Sequence, residues 1–146
     1  MSFAVYLDSS ALVKLVVAEP ESEALRRFLR SRRIRVTSSL GKVEVRRAVR
    51  FQGKPADDRV KKVLARLRLL TIDNALLDAA AELDPRVLRS LDAIHLASAM
   101  ALGDDLDCVV TYDRRMSDAA SVLGVVVRAP GTVGDAPRKR AKRRRS

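Results

Sequence analysis

Short apolar runs alternate along this chain with stretches whose apolar residues return every three or four positions, the mixed signature of strands and amphipathic helices. Residues 3–7 form an apolar run of strand length that stops at Asp8. Ser9 and Ser10 then offer a cap for a helix over residues 11–17. Pro20 suits the start of a second helix over residues 21–31, with its charges outward. A second strand is expected over residues 34–37, after which Ser38 and Ser39 cap a third helix that reaches Phe51. Gly53 and Pro55 break the chain before a basic amphipathic helix over residues 56–67. Residues 69–72 form a third strand, residues 74–83 a helix, and Asp84 with Pro85 a turn. Ser90 caps a helix to Leu102 that Gly103 closes. A fourth strand over 109–112, a helix over 114–123 and a last strand over 125–127 complete the pattern. The alternation predicts an α/β domain with a short central parallel sheet flanked by helices on both faces. In such sheets the working crevice lies beyond the carboxyl ends of the strands, where the strand order reverses.

Composition narrows the function. Aromatic residues make up 3% of the chain and Trp is absent, which argues against recognition by stacked aromatic platforms. The single cysteine, Cys108, cannot form an intramolecular disulfide or a thiolate zinc cage, and its apolar neighbours make it a small buried hydrophobe. No basic leader or bilayer-length apolar stretch is present, so a cytosolic protein is expected. The net charge is +11, but seven of the 29 basic residues lie in positions 138–146 with no acid among them. The remaining 22 basic and 18 acidic residues differ by only four. After Pro130 the chain turns to Gly, Pro and basic residues, so residues 1–129 are expected to form the domain and 130–146 a basic, disordered tail. That tail either attracts a polyanion or serves as a solubilising extension.

Four acids stand in costly places. Asp8 follows the first expected strand and Asp113 the fourth, so a parallel sheet puts both at its ligand-binding edge; each could equally cap the helix after it. Glu44, spaced with Leu40, Ala48 and Phe51, is expected on the apolar stripe of the third helix, where a charge needs a partner or a metal. The alternatives are a buried pair with an arginine or a stripe displaced toward Val43 and Val45. Asp92 opens its helix, and Leu96 and Ala99 put it on an inward face. Four carboxylates in one crevice repel unless a cation neutralises them. Hard oxygen donors without Cys or His suit magnesium or manganese over zinc, and the matching chemistry is phosphodiester hydrolysis. Lys14, Arg114 and Arg115 are the candidate phosphate contacts.

Other polar residues read more plainly. His95 is expected to be packed and hydrogen-bonded, not a ligand or base. Asp104, Asp105 and Asp107 suit a solvated turn at the amino end of the fourth strand. Asp118 suits a solvent-facing helix position, and Asp57, Asp58 and Asp84 suit helix starts and turns.

At these residues the chain resembles a PIN domain, and within that group a VapC-type toxin of bacterial toxin–antitoxin pairs. The matching segments are Tyr6-Leu7-Asp8-Ser9-Ser10-Ala11-Leu12-Val13-Lys14, Ser38-Ser39-Leu40 with Val43-Glu44, Leu91-Asp92-Ala93-Ile94-His95-Leu96-Ala97, and Val110-Thr111-Tyr112-Asp113-Arg114-Arg115. The resemblance runs from about residue 3 to residue 128 and keeps all four acids in order. It implies a magnesium-dependent endoribonuclease, with manganese able to substitute, that acts on loops of tRNA or rRNA. It also implies a homodimer and a cognate VapB-like antitoxin laid across the active-site groove. Asp8, Glu44, Asp92 and Asp113 would form the catalytic metal site, with the hydroxyls of Ser10 and Thr111 orienting the carboxylates. The resemblance gives the arginine-rich tail no role. A non-cleaving PIN-like module that binds RNA or protein is the main alternative, although binding alone needs no four repelling acids. An aspartyl-phosphate domain fits less well, because Ser10 stands where a phosphatase wants a second acid and a receiver's acidic pair is missing.

Overall fold

The computed structural model describes residues 3–85 and 88–135. Five parallel strands form one sheet in the order β3-β2-β1-β4-β5. They are β1 (Ala4–Leu7), β2 (Ile34–Ser38), β3 (Arg68–Leu70), β4 (Leu106–Val110) and β5 (Val127–Arg128). The helices are α1 (Ser9–Val16), α2 (Ser22–Leu29), α3 (Ser39–Val49), α4 (Lys54–Ala65), α5 (Asn74–Ala81), α6 (Ser90–Met100) and α7 (Arg114–Val122). The central strand β1 is buried along its whole length and shows why both faces are covered. Val5 and Leu7 point into a core shared with α1, α2, α3 and α4, while Ala4 and Tyr6 point into one shared with α6 and α7. The expected architecture is therefore present. The chain builds outward from β1 to β3 and then returns to add β4 and β5 on the other side, so the order reverses between β1 and β4.

Several boundaries differ from the sequence expectation, each for a local reason. Asp8, not Ser9 or Ser10, caps α1, because its carboxylate takes the Ala11 N–H. Glu21 occupies the cap position of α2, so that helix starts later than Pro20 suggested. Pro55 lies in the first turn of α4, where a missing N–H costs nothing, and the helix begins before it. Strand β4 starts at Leu106 and ends at Val110. Ala4 pairs with Leu106 and Val5 with Cys108, which leaves Asp107 as the extra residue of a bulge. Asp107 thus belongs to the strand, with its carboxylate 3.6 Å from Arg32, while Asp104 and Asp105 do lie in the exposed turn before it. Val125 returns its N–H to Ala120 after Gly124, and this closure of α7 delays β5. Cys108 is buried in the core, and burial pushes its thiol up to about 12.

The described chain also runs past the boundary expected at Pro130. Asp135 accepts hydrogen bonds from the Arg128 guanidinium at 3.0 and 3.2 Å and from the Ala129 N–H at 2.9 Å. Arg128 and Arg32 both lie over the Phe28 ring, at 4.8 and 3.7 Å, and tie this segment to α2. The basic run 138–146 lies outside the described residues. No helix among the described residues is long and apolar enough to cross a membrane.

Close packing of α3 on the sheet depends on Gly41. A Cβ there would lie 2.5 Å from Thr37 Oγ1 and 3.2 Å from a Leu12 methyl. Thr37 is fully buried and its hydroxyl donates to the Leu7 carbonyl at 2.8 Å, so it has little freedom to withdraw. Gly41→Ala is accordingly expected to destabilise the fold by about 1–2 kcal/mol, the overpacking cost exceeding the helix-propensity gain. Thermal or urea unfolding measures this, and a stabilised variant would show that Thr37 yields.

Candidate active site

The carboxylate of Asp8 leaves the end of β1 at the point of strand reversal and is 3% exposed. Such a group needs its oxygens occupied. Ser10 Oγ donates to Oδ1 at 2.6 Å, the Ala11 N–H to the same oxygen at 3.0 Å, and the Thr111 hydroxyl to Oδ2. Burial raises the Asp8 pKa, and those three hydrogen bonds act against the rise. Both hydroxyls also accept: Ser10 Oγ from the Tyr112 N–H at 2.9 Å, and Thr111 Oγ1 from the Asp113 N–H at 3.1 Å. Ser10 and Thr111 therefore join the end of β1 to the loop after β4.

Asp113 lies in that loop, three residues beyond the last residue of β4, since the strand ends earlier than expected. It caps α7 by accepting the Arg115 N–H at 2.9 Å. Both strand-edge acids thus do the capping that the sequence allowed as their modest role.

Glu44 reaches the crevice by a different route from the one its spacing suggested. The buried stripe of α3 is Gly41, Val45 and Val49, whereas Ala48 is exposed and Phe51 is 83% exposed. The stripe is displaced toward Val45 because α3 packs against α1 and α4 on that side. Glu44 stands at the flank facing α6, its side chain 24% exposed, and no arginine among the described residues pairs with it. Its partner is His95, whose Nε2 lies 2.5 Å from Oε1. The ring is 1% exposed, and its Nδ1 lies 2.7 Å from the Tyr6 hydroxyl. His95 is thus packed and hydrogen-bonded, as expected.

Asp92, in the first turn of α6, links the set electrostatically. Burial is the largest cause of its raised pKa, and the charges of Asp113, Asp8 and Glu44 raise it further, against a lowering by His95. The other three predicted acids therefore all lie near enough to Asp92 to act on its carboxylate. They do not close on a common point: among the described residues, no three His, Cys, Asp or Glu side chains stand close enough to hold a metal ion. The donor set itself, four carboxylates with no thiolate, suits a hard divalent cation.

Of the cationic candidates, Lys14 is committed elsewhere. Its ammonium is buried 2.8 Å from Glu21 and 3.6 Å from Glu19, and lies 4.7 Å over the Tyr112 ring. Arg114 and Arg115 are exposed in the first turn of α7 beside Asp113. Sequence reasoning missed Tyr6 as a participant. The available signal was a phenol inside a strand buried on both faces, where its hydroxyl must find a partner.

A short parallel sheet of this order flanked by helices on both faces is the arrangement of a PIN domain, and this chain belongs to the PIN-domain family, whose profile matches residues 5–122. Within that family it is homologous to the VapC ribonucleases of toxin–antitoxin pairs. It is 55% identical over 127 residues to ribonuclease VapC46 of Mycobacterium tuberculosis, covering 87% of this chain and 98% of that protein. Two solved structures share the fold. The sarcin–ricin-loop-cleaving toxin VapC20 of M. tuberculosis matches with a TM-score of 0.65 at 18% identity, over 79% of this chain and 94% of that one. VapBC2 from Rickettsia felis, bound to a promoter DNA fragment, matches with a TM-score of 0.67 at 14% identity, over 86% and 97%.

Two acids of the same crevice should respond oppositely to substitution. Folding raises the pKa of both carboxyls, so each is disfavoured in its charged form, but only Asp8 is repaid by three hydrogen bonds, and at neutral pH removing the Asp92 charge relieves the fold. Asp92→Asn is expected to leave the metal-free protein as stable as the native chain, or more so. Asp8→Ala should cost about 1–2 kcal/mol, because a helix cap and the acceptor for the buried Thr111 and half-buried Ser10 hydroxyls are lost. Unfolding of both variants in chelator reads the difference, and equal destabilisation would assign Asp92 a structural role.

Proposed function

We propose that this chain is a metal-dependent endoribonuclease, the toxin of a toxin–antitoxin pair, acting in the cytosol on tRNA or rRNA. The observation that carries this reading is the convergence of Asp8, Glu44 and Asp113 on Asp92, whose carboxylate all three disfavour, at the side of the sheet where the strand order reverses. Carboxylates that raise one another's cost are retained where a cation offsets them. Asp8, Glu44, Asp92 and Asp113 would hold magnesium, or manganese in its place. When bound, such an ion supplies Lewis acidity for phosphodiester hydrolysis, lowering the pKa of a water and neutralising charge on the phosphate. The residues of the chain supply the rest. Ser10 and Thr111 keep Asp8 ionisable and aimed by donating to both of its oxygens. Arg114 and Arg115 offer exposed guanidinium groups to RNA phosphates at the rim. Lys14, held by Glu21, instead fixes the start of α2 against α1.

Kinship to the VapC ribonucleases supports the toxin assignment and, with it, a cognate VapB-like antitoxin and a homodimeric state. VapC20, described as cleaving the sarcin–ricin loop, supports structured RNA as the substrate class.

The test is incubation of total bacterial RNA with the purified chain, with magnesium or manganese, with chelator, and with Asp92→Asn. Discrete fragments are expected, and both the chelator and the substitution should abolish them. Cleavage that survives in the variant would mean that the acids are misassigned. RNA retention without cleavage by the native chain would favour the non-cleaving module.

A further inference from the structure

Tyr6 and His95 lie outside the set of acids, yet they form with Glu44 one line of hydrogen bonds from the central strand through α6 to α3. The two rings also meet edge to face, with centroids 5.8 Å apart. Packing alone does not call for two polar tips at this depth. Phe and Leu would fill the space without the cost of withdrawing a phenol and an imidazole from water. An ionised carboxylate only accepts, so the 2.5 Å contact is a donation from His95 Nε2–H to Glu44 Oε1. In the neutral ring Nδ1 is then an acceptor, and the Tyr6 hydroxyl donates to it across 2.7 Å. Burial pushes that phenol up to about 12, so it keeps its hydrogen at physiological pH. The ring is thereby fixed in tautomer and direction by a donor on the most deeply buried strand. Glu44, by contrast, is a long and partly exposed side chain on a helix flank, and among the described residues His95 is its hydrogen-bond partner.

We propose that His95, locked by Tyr6, is a positioning residue that holds the Glu44 carboxylate by one oxygen and leaves the other turned to the acidic crevice. This role rests on the ribonuclease reading. It makes the Tyr6–His95 pair the counterpart, for Glu44, of the Ser10–Thr111 pair that holds Asp8. Partners that orient a metal-site ligand contribute about 10- to 100-fold in metal affinity or activity.

The experiment uses the full chain and the variants His95→Leu, His95→Gln, Tyr6→Phe and Glu44→Gln. Cleavage of one RNA substrate is read as separate kcat and KM values. Manganese binding without RNA is read from the resonance signal of the free ion, and thermal unfolding monitors the fold. His95→Leu is expected to lower both kcat and manganese affinity by about 10- to 100-fold with KM for RNA unchanged. His95→Gln, which keeps an N–H donor, should recover part of the loss, and Tyr6→Phe should show a smaller loss in the same direction. In the Glu44→Gln background, His95→Leu should add nothing further. Equal effects of His95→Leu with and without Glu44 would overturn the proposal, as would a fall in melting temperature with kcat and manganese affinity intact. If His95→Leu does not fold, Tyr6→Phe decides by the same criteria. If the native chain binds manganese but cuts nothing, the ribonuclease reading fails on its own, and manganese affinity across the variants still decides the positioning role.

Discussion

Burial of one carboxylate at the end of the central strand is the constraint around which this molecule is arranged. Asp8 cannot lie there without donors on both oxygens, and the donors come from two segments that the fold must bring together. Ser10 is two residues away, but Thr111 arrives only when β4 pairs with β1. The same hydroxyls accept from Tyr112 and Asp113, so satisfying Asp8 also sets the path of the loop that carries the second strand-edge acid. Strand pairing, helix capping and site geometry are therefore one network, and the cost of the buried charge is shared across it.

The second half of the crevice is built on the same plan with different chemistry. Glu44 and Asp92 come from helices on opposite faces of the sheet, and His95 reaches Glu44 from the turn of α6 that follows Asp92. The acids at the strand edge are held by small hydroxyls and backbone amides; the one on α3 is held by a ring. Asp92 has no such partner among the hydrogen bonds described and instead carries the repulsion of the others. The crevice thus combines rigidly held carboxylates with one that is electrostatically unsatisfied.

Much of this was legible in the sequence, and the remainder has definite physical causes. The parallel sheet and its two-sided burial followed from short apolar runs such as residues 4–7, because a strand covered on both faces has no polar alternation to hide it, while the order of the strands came only with the structure. The ends of β3 and β5 were not legible, since edge strands are half exposed and their limits are set by hydrogen bonds to a neighbour. Asp107 was misplaced because a bulge depends on pairing register, which no single strand encodes. In the site, the acids were visible as costly residues at defined positions. The stripe argument for Glu44 chose the wrong turn face, because Leu40, Ala48 and Phe51 match helical spacing as well as Gly41, Val45 and Val49 do. Lys14 was assigned by its nearness in sequence to Asp8, while its true partners lie one helix further on.

The separation between Asp8 and Thr111 makes the crevice a late product of folding. The hydrogen bond that organises the crevice joins residues 103 positions apart. Segments that end before β4 carry Asp8 and Glu44 but lack the Thr111 hydroxyl that occupies the second Asp8 oxygen. The crevice takes shape only after β4 has emerged and inserted beside β1, the slow, non-local step in a parallel sheet. Anything that loosens the pairing of β4 with β1 therefore disarms the Asp8 end of the crevice at the same stroke as it opens the sheet.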